Sequence, residues 1–347
     1  MSKIKILTLL LPVLLLAQAC VVSPFGGQPV VGGVLKSVDS GESWDKANRL
    51  SSEGEMKRVS VARIRIDFND TKNLIFASPT SGVYRSKDSA QTWERILSGA
   101  RIYDAVINPA EGTEIYAGGS VGGVAKVFKS TDFGDTWLEV FSESKTKTFV
   151  SALAFSSQSS QTILAGLSTG EIVRSDNSGT SWHLFADLDG RILKIKPVPQ
   201  NSRLFYALSM KRGLYRSDDN GNSWQLITEN LPSNIKSFRD FEMLASNPNA
   251  IYLATNNGLF RTVNGGQNWE KLTLPLHESS TVVGAVVVNQ FNVDELLAAI
   301  GQTIYKSSDA GRTWQTRALK TSGVVRHLVI DPAEANVRYA ALGQELR

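Results

Sequence analysis

The sequence predicts an all-β chain folded as a seven-bladed β-propeller of four-stranded blades, and three observations carry that prediction. All seven tryptophans end copies of one eight-residue segment. The copies recur at steps of 49, 44, 45, 42, 45 and 45 residues, a period that suits one four-stranded blade. Between them lie short apolar runs bounded by turn residues, and no stretch sustains a helical period.

The chain of 347 residues opens with MSKIKILTLLLPVLLLAQAC, a basic start followed by an apolar run from Ile6 to Ala17. About a dozen apolar residues fall short of the roughly 20 that span a bilayer, so residues 1–19 read as a signal peptide and the chain as exported. Cys20 is the only cysteine, which excludes an internal disulfide. Its place directly after the apolar run resembles the lipobox of bacterial lipoproteins, although Ala17 stands where leucine is usual. That resemblance implies acyl chains on Cys20 and a membrane-anchored lipoprotein facing the periplasm, a lumen or the cell surface. Residues 20–32 then read as the lipidated cysteine and its tether, and 33–347 as the propeller. The formal charge of +4 includes Lys3 and Lys5 of the leader. The remainder is close to neutral, carries no basic run, and gives no reason to expect nucleic acid.

The repeated segments are SVDSGESW, SKDSAQTW, STDFGDTW, SDNSGTSW, SDDNGNSW, TVNGGQNW and SSDAGRTW. They place Asp39 with Trp44, Asp88 with Trp93, Asp132 with Trp137 and Asn177 with Trp182. They continue with Asp219 and Trp224, Asn264 and Trp269, and Asp309 and Trp314. Each joins the third strand of a blade (C) to the fourth (D). Such a turn needs a glycine at positive φ and a carboxylate or amide that bonds nearby backbone N–H groups. The hydroxyl residues add local acceptors, and the tryptophan a flat surface for packing. Ala90 stands where the other copies have glycine and is expected to strain its turn. SDDNGNSW looks like a calcium loop, but it lacks the distal bidentate glutamate such a loop requires. A basic residue precedes every copy, from Lys36 to Lys306, and its regularity predicts a stem packed on the neighbouring blade.

Strand order also predicts closure. The sequence after the tether begins with a C–D pair, GGVLKSVDSGESWDKANRL, and ends with an A–B pair, GVVRHLVIDP and VRYAALGQ. Joined, they form the seventh blade, hide both sheet edges, and lead us to expect a complete, monomeric propeller.

These segments resemble the Asp-box, or BNR, repeat of sialidases, sortilin-type receptors and photosystem II stability and assembly factors, across essentially the whole chain after the tether. The resemblance implies that the C–D turns occupy one face while ligands meet the other, at the D–A and B–C connections. On that face the sequence puts Arg101, Arg191, Arg239 and Arg326, each at or near the start of an A strand, together with Lys57, Arg58, Lys211, Arg212 and Lys236. Such a rim suits an acidic protein partner of the envelope or membrane.

A carbohydrate-active hydrolase or glycan-binding protein is the alternative. Asp104, Asp240 and Glu242 near A-strand starts are its candidate carboxylates. Sialidases, however, carry an Arg-Ile-Pro motif, absent here, and xyloglucanases set two aspartates between two propellers. The Gly-x-Ser-x-Gly matches around Ser120 and Ser168 have no following helix and read as B–C turns. His183, His277 and His327 have no metal-ligand spacing. No catalytic residue, metal site or cofactor is assigned, and the reading is a non-enzymatic interaction or assembly platform.

Overall fold

The computed structural model describes residues 32–56, 58–198, 201–275 and 281–344. The leader, Cys20, residues 21–31 of the tether, Lys57 and His277 lie outside them. The described residues contain strands and no helix, arranged as seven antiparallel four-stranded sheets in a ring, as expected. The A strands of blades 1 to 7 are Arg63–Ile66, Arg101–Ile107, Val150–Phe155, Ile192–Val198, Phe238–Met243, Ala285–Val288 and Val324–Ile330. Blade 7 is shared by the two ends of the chain. Gly33–Ser37 pairs antiparallel with Arg338–Gly343, so the C and D strands come from the beginning and A and B from the end.

The core is divided along the blade junctions. B and C strands such as Leu74–Ser78 and Gly82–Ser86 are buried throughout, which explains their continuous apolar runs. Seven apolar clusters follow, each drawing on two adjacent blades. The cluster that closes the ring packs Val34, Tyr339 and Ala341 of blade 7 against Ile64, Leu74 and Phe76 of blade 1.

The boxes also bind blade to blade, which the sequence reading had not foreseen. The indole N–H of Trp93 donates to the Ala47 carbonyl of the preceding blade at 2.8 Å. Trp137, Trp182 and Trp269 do the same to Ile96, Val140 and Ile227. In four blades the basic residue before the box reaches in the other direction through its charged head. Lys36, Arg85, Lys129 and Arg261 donate to the carbonyls of Ser89, Phe133, Ser178 and Ala310 in the box of the following blade.

Those acceptors are the box residues just before the glycine position, and they too lie at positive φ, between 55° and 58°. Each turn therefore takes two left-handed residues in succession. Ala90 takes φ 64°, closer to the left-handed minimum than the 83° to 96° of the glycines at its position in the other six boxes. Its methyl fits because the residue facing it in the preceding blade is small. A Cβ on Gly134, Gly221 or Gly311 would fall within 2.6 Å of Ile96, Phe185 or Leu272, the third residue after the preceding tryptophan. For Ala90 that position holds Ala47, in the same cluster.

Candidate functional site

The carboxylates of SDDNGNSW are engaged by groups of its own strand and turn. The Asp219 carboxylate accepts from the Ser223 N–H at 2.9 Å, the Ser223 hydroxyl at 2.6 Å and the Ser217 hydroxyl at 2.8 Å. Asp218 is taken by Arg216. Among the described residues no cluster of potential metal ligands occurs. Ser120, read from sequence as a B–C turn residue, is instead a buried member of the B strand Ile115–Val121, paired with Arg101. Ser168 lies in a B–C turn, as expected, and its Oγ accepts the Phe149 N–H.

The unusual chemistry lies along the central channel, which the seven A strands line. Successive side chains of a strand alternate between faces, so Arg63 with Arg65, Lys194 with Lys196 and Asp240 with Glu242 each present two charges on one side. Arg65 donates to both oxygens of Asp104 at 3.1 Å, and Arg63 lies 3.7 Å from the same carboxylate. Lys194 bonds Asp240 at 2.9 Å, Glu242 at 3.2 Å and the Phe241 carbonyl at 2.6 Å, and Lys196 pairs with Glu242. Asp104 and Asp240 also accept the N–H groups of Leu153 and Val286 in the next blades. The three candidate carboxylates of the hydrolase alternative are thus buried struts of the channel, each held by a cation. His327 is buried beside them. Burial, then the charges of Arg63, Arg65, Lys194 and Lys196, push its imidazole well below the usual histidine range.

Above this belt the channel opens on the B–C and D–A face into a mouth of about 300 Å³. Its geometry comes from a repeated defect. The A strands of blades 2, 3, 4, 5 and 7 each carry a register shift against their B strands, leaving Tyr103, Ser151, Leu193, Arg239 and Arg326 as the extra residues. All five line the mouth. A β-bulge turns one side chain out of the alternation, and here the bulges aim five of them into the channel.

Arg191, just before the blade 4 A strand, lies over a two-ring platform. Its guanidinium is 4.9 Å from the Phe149 centroid and 5.4 Å from that of Tyr103, and the rings stack at 4.3 Å. Burial lowers its pKa to about 10. The Nε atoms of Arg191 and Arg239 are buried and have no hydrogen-bond partner. With Arg63 and Arg326, these arginines surround the cavity. Asp240 also reaches it, but is already held by Lys194. Such a mouth can bind a carboxylate through charge-assisted hydrogen bonds.

Three of the four arginines chosen from sequence therefore meet. Arg101 does not: it is exposed, at the first position of its strand and before the bulge, outside the lining. Arg212 pairs with Asp189 on the rim, and Lys236 bonds its own loop at Ser233. Sequence reasoning missed Arg63, Arg65, Lys194, Lys196 and His327. The available signal was the pairing of charges two apart in RIRI and KIK, inside otherwise apolar strands.

Comparison with known proteins agrees with this architecture. The sequence profile described as Photosynthesis system II assembly factor YCF48 matches residues 187–344. The structure of YCF48 bound to D1 peptide superposes with a TM-score of 0.62 at 16% identity, covering 82% of this chain and 94% of that one. The chain is a BNR-type β-propeller. Other BNR propellers match as well. A xyloglucanase of Acetivibrio thermocellus is 28% identical over 138 residues, which are 32% of this chain and 16% of that relative. The GH74 xyloglucanase from Xanthomonas campestris superposes with a TM-score of 0.70 at 18% identity, over 82% of this BNR propeller and 51% of the enzyme. The chain thus spans only a fraction of these enzymes' length, and identities this low establish a common fold.

Proposed function

We propose that this propeller is a non-enzymatic docking platform of the cell envelope, held to a membrane through a lipidated Cys20, that receives a carboxylate-bearing segment of a protein partner in its arginine mouth. The observation that carries this reading is the convergence of Arg63, Arg191, Arg239 and Arg326 on one cavity, where the buried Nε atoms of Arg191 and Arg239 have no hydrogen-bond partner. A buried donor without an acceptor costs free energy that an incoming carboxylate would recover. The likeness to a YCF48 that binds a peptide supports a protein as the partner. The xyloglucanase likeness favours a second reading, glycan binding or hydrolysis at the same face. Against catalysis stands the state of Asp104, Asp240 and Glu242, which are committed to buried cations.

The test is affinity capture from detergent-solubilised membranes with wild type, an Arg191→Glu/Arg239→Glu/Arg326→Glu variant, and Arg101→Glu as the charge-matched control outside the mouth. A specific protein retained by wild type and Arg101→Glu, and lost by the folded triple variant, is the expected result. Equal recovery by the triple variant overturns the docking mouth. Turnover of xyloglucan that disappears in Asp240→Asn would favour the second reading.

A further inference from the structure

The channel has a second mouth, on the face that carries the box turns, and it is built differently. A cavity of about 340 Å³ opens there, within the size range of small-molecule sites. Its walls are apolar, formed by residues such as Ile64, Ile66, Phe155, Ile195, Val329 and Pro332. Its floor is the underside of the charged belt, presenting Arg65, Lys194, Lys196, Glu242 and His327.

Two features of that floor point to a missing anion. The first is charge: within the belt four cations, Arg63, Arg65, Lys194 and Lys196, face three carboxylates, Asp104, Asp240 and Glu242, while the one further carboxylate lining the cavity, Asp67, accepts the Asn69 N–H just after the blade 1 A strand. One positive charge is left over where burial makes an uncompensated charge expensive. The second is hydrogen bonding. Arg65 and His327 both line this cavity, and Arg65 Nε and His327 Nδ1 are buried with no hydrogen-bond partner. Arg65 Nε always carries a proton, and one neutral tautomer of His327 carries one at Nδ1. Both can therefore donate to the same kind of ligand oxygen. Burial, then the neighbouring Lys194, hold Lys196 well below the ordinary lysine range, and an anion bound at this floor would raise it again.

We propose that this second mouth binds a small organic monoanion, a carboxylate with a short apolar body. The head group accepts from Arg65 and His327 and balances the excess cation, and the body lies against the apolar walls. The site is separate from the arginine mouth, on the other side of the belt, and its occupancy does not depend on the docking role proposed above. A carboxylate is favoured over a larger anion by the confined cavity, and over a cation or a neutral apolar molecule by the leftover charge.

Isothermal titration calorimetry on the full chain tests this with three probes: hexanoate, acetate, which lacks the body, and hexylamine, which reverses the charge. We expect saturable one-to-one binding of hexanoate, binding of acetate weaker by about tenfold or more, and none of hexylamine. Lys196→Met removes the excess charge while leaving Glu242 paired with Lys194, and is expected to weaken hexanoate by about tenfold. Val329→Trp fills the cavity from its wall and is expected to abolish binding. Arg191→Glu, at the opposite mouth, is expected to leave it unchanged. No saturable hexanoate binding at millimolar concentration overturns the proposal, as does equal binding of hexylamine. So does hexanoate binding that survives Val329→Trp, which decides the matter if Lys196→Met does not fold.

Discussion

The box turns and the central channel are both rich in charged and polar side chains, and they differ in how those groups are satisfied. In the turns the aspartate or asparagine, the serines and threonines and the basic residue recur copy after copy, and their bonds close within one blade or onto its neighbour. In the channel the charges follow no sevenfold pattern, and the one acid that recurs, as Asp104 and Asp240 directly after the bulge, does so in only two blades. Arg63 and Arg65 stand in blade 1, Asp104 in blade 2, Lys194 and Lys196 in blade 4, Asp240 and Glu242 in blade 5 and His327 in blade 7. Buried donors go unpaired there, on Arg65, Arg191 and Arg239. A polar residue that a repeat keeps is explained by building the repeat. One that breaks the repeat and leaves a buried group unsatisfied is where a ligand has something to do.

The comparison is broken most forcefully by removing a cation from the belt. Lys194 is the hub, with buried bonds to Asp240, Glu242 and the Phe241 carbonyl. Lys194→Met strands Asp240, and we expect a loss of about 3–5 kcal/mol in urea unfolding. Adding Asp240→Asn should return part of it, since the stranded charge is gone, although the amide oxygen can replace only one of the two carboxylate oxygens that now accept the N–H groups of Val286 and Phe241. A single variant as stable as wild type would show that the belt is not electrostatically coupled.

The next two effects lie in the boxes. Gly221→Ala places a methyl 1.9 Å from the Phe185 ring at φ 83°, and overpacking with left-handed strain should cost about 2–4 kcal/mol. Ala90→Gly exchanges relief of that strain for a lost buried methyl, two terms of about 1 kcal/mol each, so thermal unfolding should barely move. A large change in either direction at Ala90 would mean that Ala47 does not set the fit. Trp93→Phe removes the indole donor to the buried Ala47 carbonyl and should cost about 1–3 kcal/mol. Trp314→Phe should cost less, because its indole N–H has no partner to lose.

The contrast also explains what the sequence could tell. Blade number, strand order and closure were legible because they are periodic, and seven copies average out local ambiguity. The arginine mouth was legible in part: Arg191, Arg239 and Arg326 meet, but Arg101 stays on the rim because the bulge of its strand falls two residues later, at Tyr103. A bulge is a register property, visible only once both strands are paired. The belt was misjudged because Asp104 and Asp240 sit near strand starts, and distance along a strand does not say which side of it faces a closed channel. The inter-blade bonds of the tryptophans were hidden for a similar reason, since their acceptors are backbone carbonyls that leave no mark in the sequence.

The smallest expected effect sharpens the comparison by asking whether the boxes need charge at all. The hydroxyl and N–H of Ser223, with the Ser217 hydroxyl, hold Asp219 down to about 2 against an ordinary 3.8. A carboxyl whose folded pKa is depressed contributes stability that is present above the unfolded value and lost as the pH falls through the folded one. The boxes with Asp39, Asp219 and Asp309, each held down to about 2, should therefore weaken together between pH 3.8 and about 2. Blade 3 shows how an amide replaces the carboxylate. Asn177 Oδ1 accepts the Ser181 N–H at 2.9 Å, and its Nδ2 donates to the Ser181 hydroxyl at 2.9 Å, reversing one bond without losing it. Asp219→Asn should accordingly leave the unfolding temperature at pH 7 nearly unchanged and make its fall below pH 3.8 shallower, whereas Asp219→Ala should lower it at both. If the amide were as damaging as alanine at pH 7, the charge itself would be holding the turn, and the boxes would resemble the belt more than their geometry indicates.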